Sequence, residues 1–142
     1  SSAGMVAGAR QEIVDALWGY GIELGRAFQL VDDILDLEGD ERIGKPRGTD
    51  VHEGKMTLPI IYALTMLHGQ DREHLKDVLT NFGDDRLHEL VQLLETAGSF
   101  EYSRVLVSNH VERALEHLQA LPDSDEKVLL SEMALISEAR TN

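Results

Sequence analysis

The sequence contains no cysteine, which excludes disulfides, zinc–thiolate sites and thiol nucleophiles and is compatible with a reducing compartment. It also lacks any run of about 18 uncharged apolar residues, so no segment is typical of a membrane span. Positive charge is scarce, because 13 Lys and Arg stand against 26 Asp and Glu, for a formal net charge of −13. This balance argues against nucleic acid or anionic lipid as a general partner. A polyanionic ligand would need locally supplied cations.

The first nine residues have no initiator Met, no basic region and no sustained apolar region. They are therefore not a signal peptide, and their small side chains are typical of a closely packed helix. We expect a fragment or a processed chain. Its 142 residues amount to about one domain, and we treat 1–142 as a single all-α domain portion.

Apolar residues recur at intervals of three and four between Gln11 and Leu37, which predicts a helix. Gly19, Gly21 and Gly25 lie inside it, and each costs about 1 kcal/mol relative to Ala. Glycines at that cost indicate a close helix approach or a kink. We expect the neighbouring aromatic residues, Trp18 and Tyr20, to be packing residues.

The rest of the chain is interpreted as a loop followed by helices. Residues 38–57 are Gly-rich and aperiodic, whereas residues 58–142 show helical spacing of leucine-type residues. Thr57 is expected to cap the first of these helices, and Gly69 to end it. The predicted helices cover 58–68, 71–81, 84–97, 99–121 and 124–140. Because no strand-like alternation competes, the predicted class is all-α.

Four polar residues form a stripe on one face of the first helix, at offsets of 0, 3, 4 and 7: Gln29, Asp32, Asp33 and Asp36. Three carboxylates within two turns repel one another, and a bound cation would reverse the sign of that interaction. The alternative interpretation is a solvated acidic face, which a strongly acidic chain readily provides.

The loop that follows reverses the local charge, because four of the 13 basic residues fall within 14 positions: Arg42, Lys45, Arg47 and Lys55. Carboxylates next to a Gly-rich cationic loop suit a metal-bound diphosphate, since Mg²⁺ prefers oxygen ligands and completes its shell with water and phosphate. A calcium EF-hand does not fit, because the alternating ligands, turn glycine and terminal Glu are absent at the required offsets.

A longer ordered set of motif positions extends from this stripe through the loop: Phe28-Gln29-Leu30-Val31-Asp32-Asp33-Ile34-Leu35-Asp36, Gly39-Asp40, Gly44-Lys45, Gly48-Thr49-Asp50, Gly54-Lys55 and Thr57-Leu58-Pro59. The set resembles the second aspartate-rich motif and following loop of the trans-type polyprenyl diphosphate synthases. The strong match covers roughly 24–64, and the helical tail around 121–124 is also similar to the C-terminal end of that family.

The resemblance implies the C-terminal portion of an antiparallel helical bundle of the isoprenoid synthase type, and a prenyltransferase activity. An allylic diphosphate would lose diphosphate with the help of Mg²⁺, isopentenyl diphosphate would attack the resulting carbocation, and a proton would leave. A cytoplasmic enzyme without nucleic-acid or integral membrane contact is expected. It would be a homodimer or would pair with the missing N-terminal half.

The resemblance also implies roles for individual residues. Asp32 would ligate Mg²⁺ directly, Asp33 and Asp36 would hold metal-bound water or make further metal contacts, and Asp50 would support the metal through water. Lys45 would contact the allylic diphosphate and Lys55 would belong to the same phosphate-binding loop. Gln29 would turn its side-chain oxygen toward the developing cation. Gln29 and Lys45 are thus the catalytic candidates, and both also bind substrate together with Lys55.

Two departures from the family pattern accompany this resemblance. Asp36 and Lys45 are nine positions apart, one fewer than is common. The first aspartate-rich motif, its neighbouring arginine and the isopentenyl diphosphate residues have no counterpart, so we expect the chain alone to be inactive. Two alternatives remain: a non-catalytic small subunit that pairs with a larger prenyltransferase subunit, and an independent metal-binding helical module.

Overall fold

The computed structural model describes residues 2–39 and 47–141, and its regular elements are all helices in these two ranges. In chain order these are α1 (Ser2–Glu38), α2 (Thr49–His52), α3 (Leu58–Met66), α4 (Gly69–Thr80), a 3₁₀ turn (Asp84–Arg86), α5 (Leu87–Ala97), α6 (Ser99–Leu118) and α7 (Asp125–Ala139). Because neither described range contains a strand, the predicted all-α class is confirmed.

Two of the differences from the sequence prediction lie in the loop and at the end of α3. The predicted loop contains a four-residue helix, α2, which Gly48 precedes with a left-handed φ of 79°. The predicted stop at Gly69 is wrong, because α3 ends at Met66 and Gly69 begins α4. Leu67, the residue after α3, has an extended backbone, and its side chain is buried with 6% exposure.

The predicted side-chain cap of α3 is also wrong. Thr57 occupies the N-cap position, but its side chain makes no capping hydrogen bond. Pro59, two positions on, has no N–H to offer, and the Thr57 hydroxyl is buried without a partner in the described part of the chain. Ser124, by contrast, caps α7 by accepting from the Lys127 backbone N–H at 3.1 Å.

The chain divides into two compact units, and the first comprises residues 1–29 and 106–142. Its core is formed by small and aliphatic side chains and one tyrosine: Ala16, Tyr20, Leu24, Ala27, Val107, Val111, Ala114, Leu118 and Ala134. Tyr20 is the packing residue that was predicted, and its hydroxyl donates to the Leu130 carbonyl oxygen at 2.9 Å. Trp18 is 73% exposed, so its predicted packing role is not realised within this chain.

The second unit comprises residues 30–105 and carries the motif segment. Its core is more strongly aliphatic: Val31, Ile34, Leu37, Ile60, Ala63, Leu75, Val78, Leu90, Leu94 and Phe100. Helix α5 packs against both α3 and α4. At the end of α1, Val31, Ile34 and Leu37 belong to this core, and Asp33 and Asp36 are buried beside them.

Within the described residues, no helix is long and apolar enough to cross a membrane.

Candidate functional site

The stripe of polar residues lies on α1 as predicted, but its members differ in exposure. Gln29 and Asp32 are exposed, whereas Asp33 is 6% exposed and Asp36 only 1%. Val31, Ile34 and Leu37 are buried as well, so buried residues occupy most of the circumference of this part of α1. A single solvated acidic face does not describe this arrangement.

A cluster of opposite charges forms where the segment after α2 meets α1. The Lys55 ammonium lies 4.0 Å from an oxygen of Asp33 and 3.9 Å from an oxygen of Asp50. Both carboxylates are largely buried, with side-chain exposures of 8% and 14%, while the lysine is about half exposed. Asp33, which precedes Asp50 by 17 positions and Lys55 by 22, thus joins them in a cluster of one cation between two anions.

Helix α2 holds Asp50 in this cluster. The Asp50 backbone N–H points at the Asp36 carboxylate, 3.4 and 3.3 Å from its two oxygens. The Gly48 N–H donates to the Asp36 carbonyl oxygen at 2.7 Å, and the Lys55 N–H donates to the Asp50 carbonyl oxygen at 2.9 Å. Backbone and side-chain bonds therefore connect α1, α2 and the segment that ends at Lys55.

The predicted cationic loop is described only in part. Arg42 and Lys45 lie outside the described residues. Arg47 is described, and its guanidinium donates to the Leu37 carbonyl oxygen through Nε at 3.0 Å and through Nη2. It thus satisfies a carbonyl in the last turn of α1, where a cation also interacts favourably with the helix dipole.

A second ion pair lies at the same end of α1. The Arg104 guanidinium donates to the Glu38 carboxylate and joins α6 to the last residue of α1. Burial raises the pKa of Glu38, and the Arg104 charge only partly opposes this effect. Together Arg47 and Arg104 hold the end of the helix that bears the aspartates.

Sequence reasoning missed two residues that contact α2 through His52. Nε2 of His52 lies 2.6 Å from Oδ1 of Asp84, and the His52 ring contacts the Phe82 ring edge to face at a centroid distance of 4.9 Å. These partners are at least 30 positions away from His52, and no spacing or motif in the sequence indicates them.

The candidate metal-binding side chains offer only carboxylate oxygens, which suit a hard divalent cation: Asp32, Asp33, Asp36 and Asp50. In the described part of the chain, no three His, Asp or Glu side chains converge as a ready metal site. Mg²⁺ is bound through one or two protein carboxylates with water and phosphate completing its shell, so it does not need such a cage. The residues that are present therefore fit Mg²⁺ with a diphosphate better than a metal held by protein alone.

Comparison with known proteins gives concordant results. The polyprenyl synthetase family model matches residues 1–96. The short chain isoprenyl diphosphate synthase of Methanothermobacter thermautotrophicus is 42% identical over 132 residues, which cover 92% of this chain and 40% of that protein. Heptaprenyl diphosphate synthase component 2 of Geobacillus stearothermophilus is 32% identical, with 92% of this chain and 41% of that protein covered.

Solved structures give the same result. The geranylgeranyl pyrophosphate synthase of Corynebacterium glutamicum, in its complex with isoprenyl diphosphate and magnesium, is 30% identical with a TM-score of 0.82. The match covers 91% of this chain and 38% of that one. The chain spans about two fifths of the length of these relatives. With a helical fold of the isoprenoid synthase type and a family match over most of its length, the chain belongs to the polyprenyl synthetase family.

Proposed function

We propose that this chain provides the magnesium- and diphosphate-binding part of a polyprenyl diphosphate synthase, which condenses an allylic diphosphate with isopentenyl diphosphate. The observation that carries the proposal is the cluster of Asp33, Asp50 and Lys55, with the exposed Asp32 next to it in the sequence. A site for a metal-bound diphosphate needs carboxylate oxygens that hold the metal ion and a flexible cationic side chain that contacts the phosphates.

The exposure of each residue supports a division of roles. Asp32 is exposed and can reach a metal ion without displacing neighbours. Asp33 and Asp50 are largely buried and hold fixed orientations, which suits contacts to metal-bound water. Lys55 is half exposed, at ion-pair distance from both, so its ammonium can turn toward a phosphate. When magnesium is bound, it supplies charge stabilisation to the departing diphosphate.

The remaining candidates of the stripe and the loop stay predictions. Gln29 is exposed on α1, one turn before Asp32, which is compatible with turning its amide oxygen toward a cationic substrate. Lys45 lies outside the described residues. The metal role predicted for Asp36 also stays a prediction, since this carboxylate is buried against α2.

We infer that condensation requires more protein than this chain, because the relatives are about two and a half times as long as the matched part. Pairing with another subunit is supported by the relative that is a heptaprenyl diphosphate synthase component. A purely non-catalytic subunit is less well supported, because the aspartate motif is complete and Asp33, Asp50 and Lys55 come together.

The proposal is tested by calorimetric titration of the 142-residue chain with inorganic diphosphate, with Mg²⁺ and then with EDTA. We expect binding at least about tenfold tighter with Mg²⁺, the scale of a contact between charged groups. Asp32→Asn should reduce the Mg²⁺-dependent affinity by about tenfold or more for the same reason.

Asp71→Asn is the matched control. Asp71 is an exposed aspartate in the first turn of α4, and its substitution removes the same charge from the same unit. Its affinity should equal that of the unsubstituted chain. Equal binding with and without Mg²⁺, or equal losses in the two variants, would contradict the metal-binding role of Asp32.

A further inference from the structure

Asp36, the third aspartate of the stripe, is buried more deeply than a metal ligand needs to be. Asp36 is 1% exposed, whereas Asp32 is exposed. A buried carboxylate must be compensated by hydrogen bonds or opposite charge. The Asp50 backbone N–H contributes to this compensation, at 3.3 and 3.4 Å from the two Asp36 oxygens.

Helix α2 depends on such external contacts. It has only four residues. An isolated helix shorter than about 12 to 15 residues is at best marginally stable in water. Gly48, immediately before it, donates to the Asp36 carbonyl oxygen, and a Cβ on Gly48 would meet Leu87 at 3.4 Å. At the other end, His52 contacts Asp84 and Phe82. The helix that carries Asp50 is therefore held in place by its neighbours.

The connection continues from Asp50 to Lys55. The Lys55 backbone N–H donates to the Asp50 carbonyl oxygen at 2.9 Å, and the Lys55 ammonium lies 3.9 Å from the Asp50 carboxylate. Any shift of the Asp50 backbone would thus move both an anion and a cation of the candidate site.

We propose that Asp36 is a positioning residue, whose buried carboxylate and carbonyl hold α2 so that Asp50 and Lys55 lie at the diphosphate site. This inference rests on the proposed function for its consequence in binding, but not for its structural part. The two aspartates of this motif then have different roles. Asp32 contacts the metal-bound ligand, whereas Asp36 affects binding by positioning Asp50. The side-chain oxygen of an asparagine can replace the acceptor that Asp36 provides, whereas it cannot replace the charge of a metal ligand.

The test compares Asp36→Asn, Asp36→Ala and Asp32→Asn in the 142-residue chain, with Asp71→Asn as the surface control. Amide hydrogen exchange at Asp50, followed by ¹⁵N NMR, reports the position of α2. Calorimetric titration with inorganic diphosphate and Mg²⁺ reports the site.

The Asp36→Asn variant should keep the slow exchange of the Asp50 amide and a diphosphate affinity within about threefold, because the acceptor is retained. Asp36→Ala should raise the exchange rate and lower the affinity by about tenfold or more, as expected for loss of a bond to a charged acceptor. Asp32→Asn should lower the affinity with no change at the Asp50 amide.

Two outcomes would overturn the inference. One is an Asp36→Asn variant that loses as much affinity as Asp32→Asn while the Asp50 amide is unchanged, which would make Asp36 a direct ligand. The other is an Asp50 amide that stays protected in Asp36→Ala. If Asp36→Ala does not fold, the comparison of the two asparagine variants still decides. If the unsubstituted chain shows no Mg²⁺-dependent binding, the proposed function fails, and the exchange measurement still tests the position of α2.

Discussion

Asp32, Asp33 and Asp36 show how differently identical side chains behave within two helical turns. One is exposed, one lies at ion-pair distance from Lys55, and one is buried against the backbone of α2. Neighbouring side chains decide this, since the buried Val31 and Ile34 orient the helix against the core. A carboxylate in this motif therefore has a role that depends on its position around the helix.

The glycines of α1 are a second case at this scale. A Cβ on Gly19 would collide with the His117 ring, so a close approach exists there as predicted. Gly21 and Gly25 have open space where a Cβ would lie, and the expected close approach is absent at both positions within the described residues. Among the residues that the structure describes, packing thus requires only one of the three glycines.

Replacing Gly25 by Ala should raise the free energy of unfolding by about 1 kcal/mol, because Ala is favoured in a helix interior and meets no neighbour. Urea unfolding at low protein concentration measures the change. Gly19→Ala is the matched control, and its gain should be smaller because the His117 ring must move. An equal or larger gain for Gly19→Ala would contradict this account.

At the scale of elements, α4 and α5 are joined by a network of charged side chains. The Arg86 guanidinium donates to the Glu89 carboxylate at 3.0 and 3.1 Å and to the Asp77 carboxylate at 3.0 Å. His74 also contacts Glu89. Hydrogen bonds from Arg86, and then from His74, lower the pKa of Glu89 to about 2. The network thus connects α4, the 3₁₀ turn and α5.

The stability that Glu89 contributes should depend on pH in a defined direction. Its pKa in the folded chain, about 2, is below the ordinary value of 4.5, so the ionised form is favoured by folding. Glu89→Gln should lower the free energy of unfolding above about pH 4.5. The difference in this free energy from the unsubstituted chain should shrink as the pH falls toward 2. Urea unfolding between these pH values measures it.

The control for this experiment is Glu95→Gln, which changes an exposed glutamate on the same helix. Its effect should be small and should lack the same dependence on pH. A penalty in Glu89→Gln that persists unchanged at pH 2 would show that the carboxylate charge is not what joins the two helices.

Over the whole molecule, apolar side chains remain exposed on two helices of the first unit. On α1 they are Val14, Leu17, Trp18, Ile22 and Phe28, with exposures of 38% to 73%, and the open Gly21 and Gly25 lie among them. On α7 they are Val128, Leu129, Met133, Leu135 and Ile136. Other apolar residues of α1 are buried, among them Leu24, Ala27 and Val31, so the exposed side chains occupy only part of the helix.

We expect the chain to self-associate through the exposed face of α1 in about 0.15 M salt, where a Debye length of about 8 Å screens its net charge of −13. Trp18→Glu should weaken association by about 30-fold or more, the scale for an aromatic hot spot. Sedimentation equilibrium measures both chains.

Leu129→Glu provides the control, since it adds the same charge at a side chain on α7 that is 57% exposed. Association should survive this change. A chain that is monomeric at every concentration would contradict the expectation, and dissociation by Leu129→Glu alone would assign the interface to α7.

Local periodicity determined most of the elements. The spacing of apolar residues predicted the long first helix from Gln11 onward, and the later ones to within a few residues, because a helical period reports interactions between positions three and four apart. The same spacing placed Gln29, Asp32, Asp33 and Asp36 on one face. The family resemblance was also evident at this level, since its motif positions all lie within residues 28–59.

Tertiary structure alone decided which of these residues are buried and what they contact. The ion pair of Asp33 with Lys55, the bond from Asp50 to Asp36 and the contact of His52 with Asp84 join residues 14 to 32 positions apart. Likewise, Trp18 is exposed beside a buried Tyr20 although the two are almost adjacent in sequence. Such pairings depend on the path of the chain between the partners, and the core that forms around Val31, Ile34 and Leu37 selects that path by burying apolar area that local spacing does not specify.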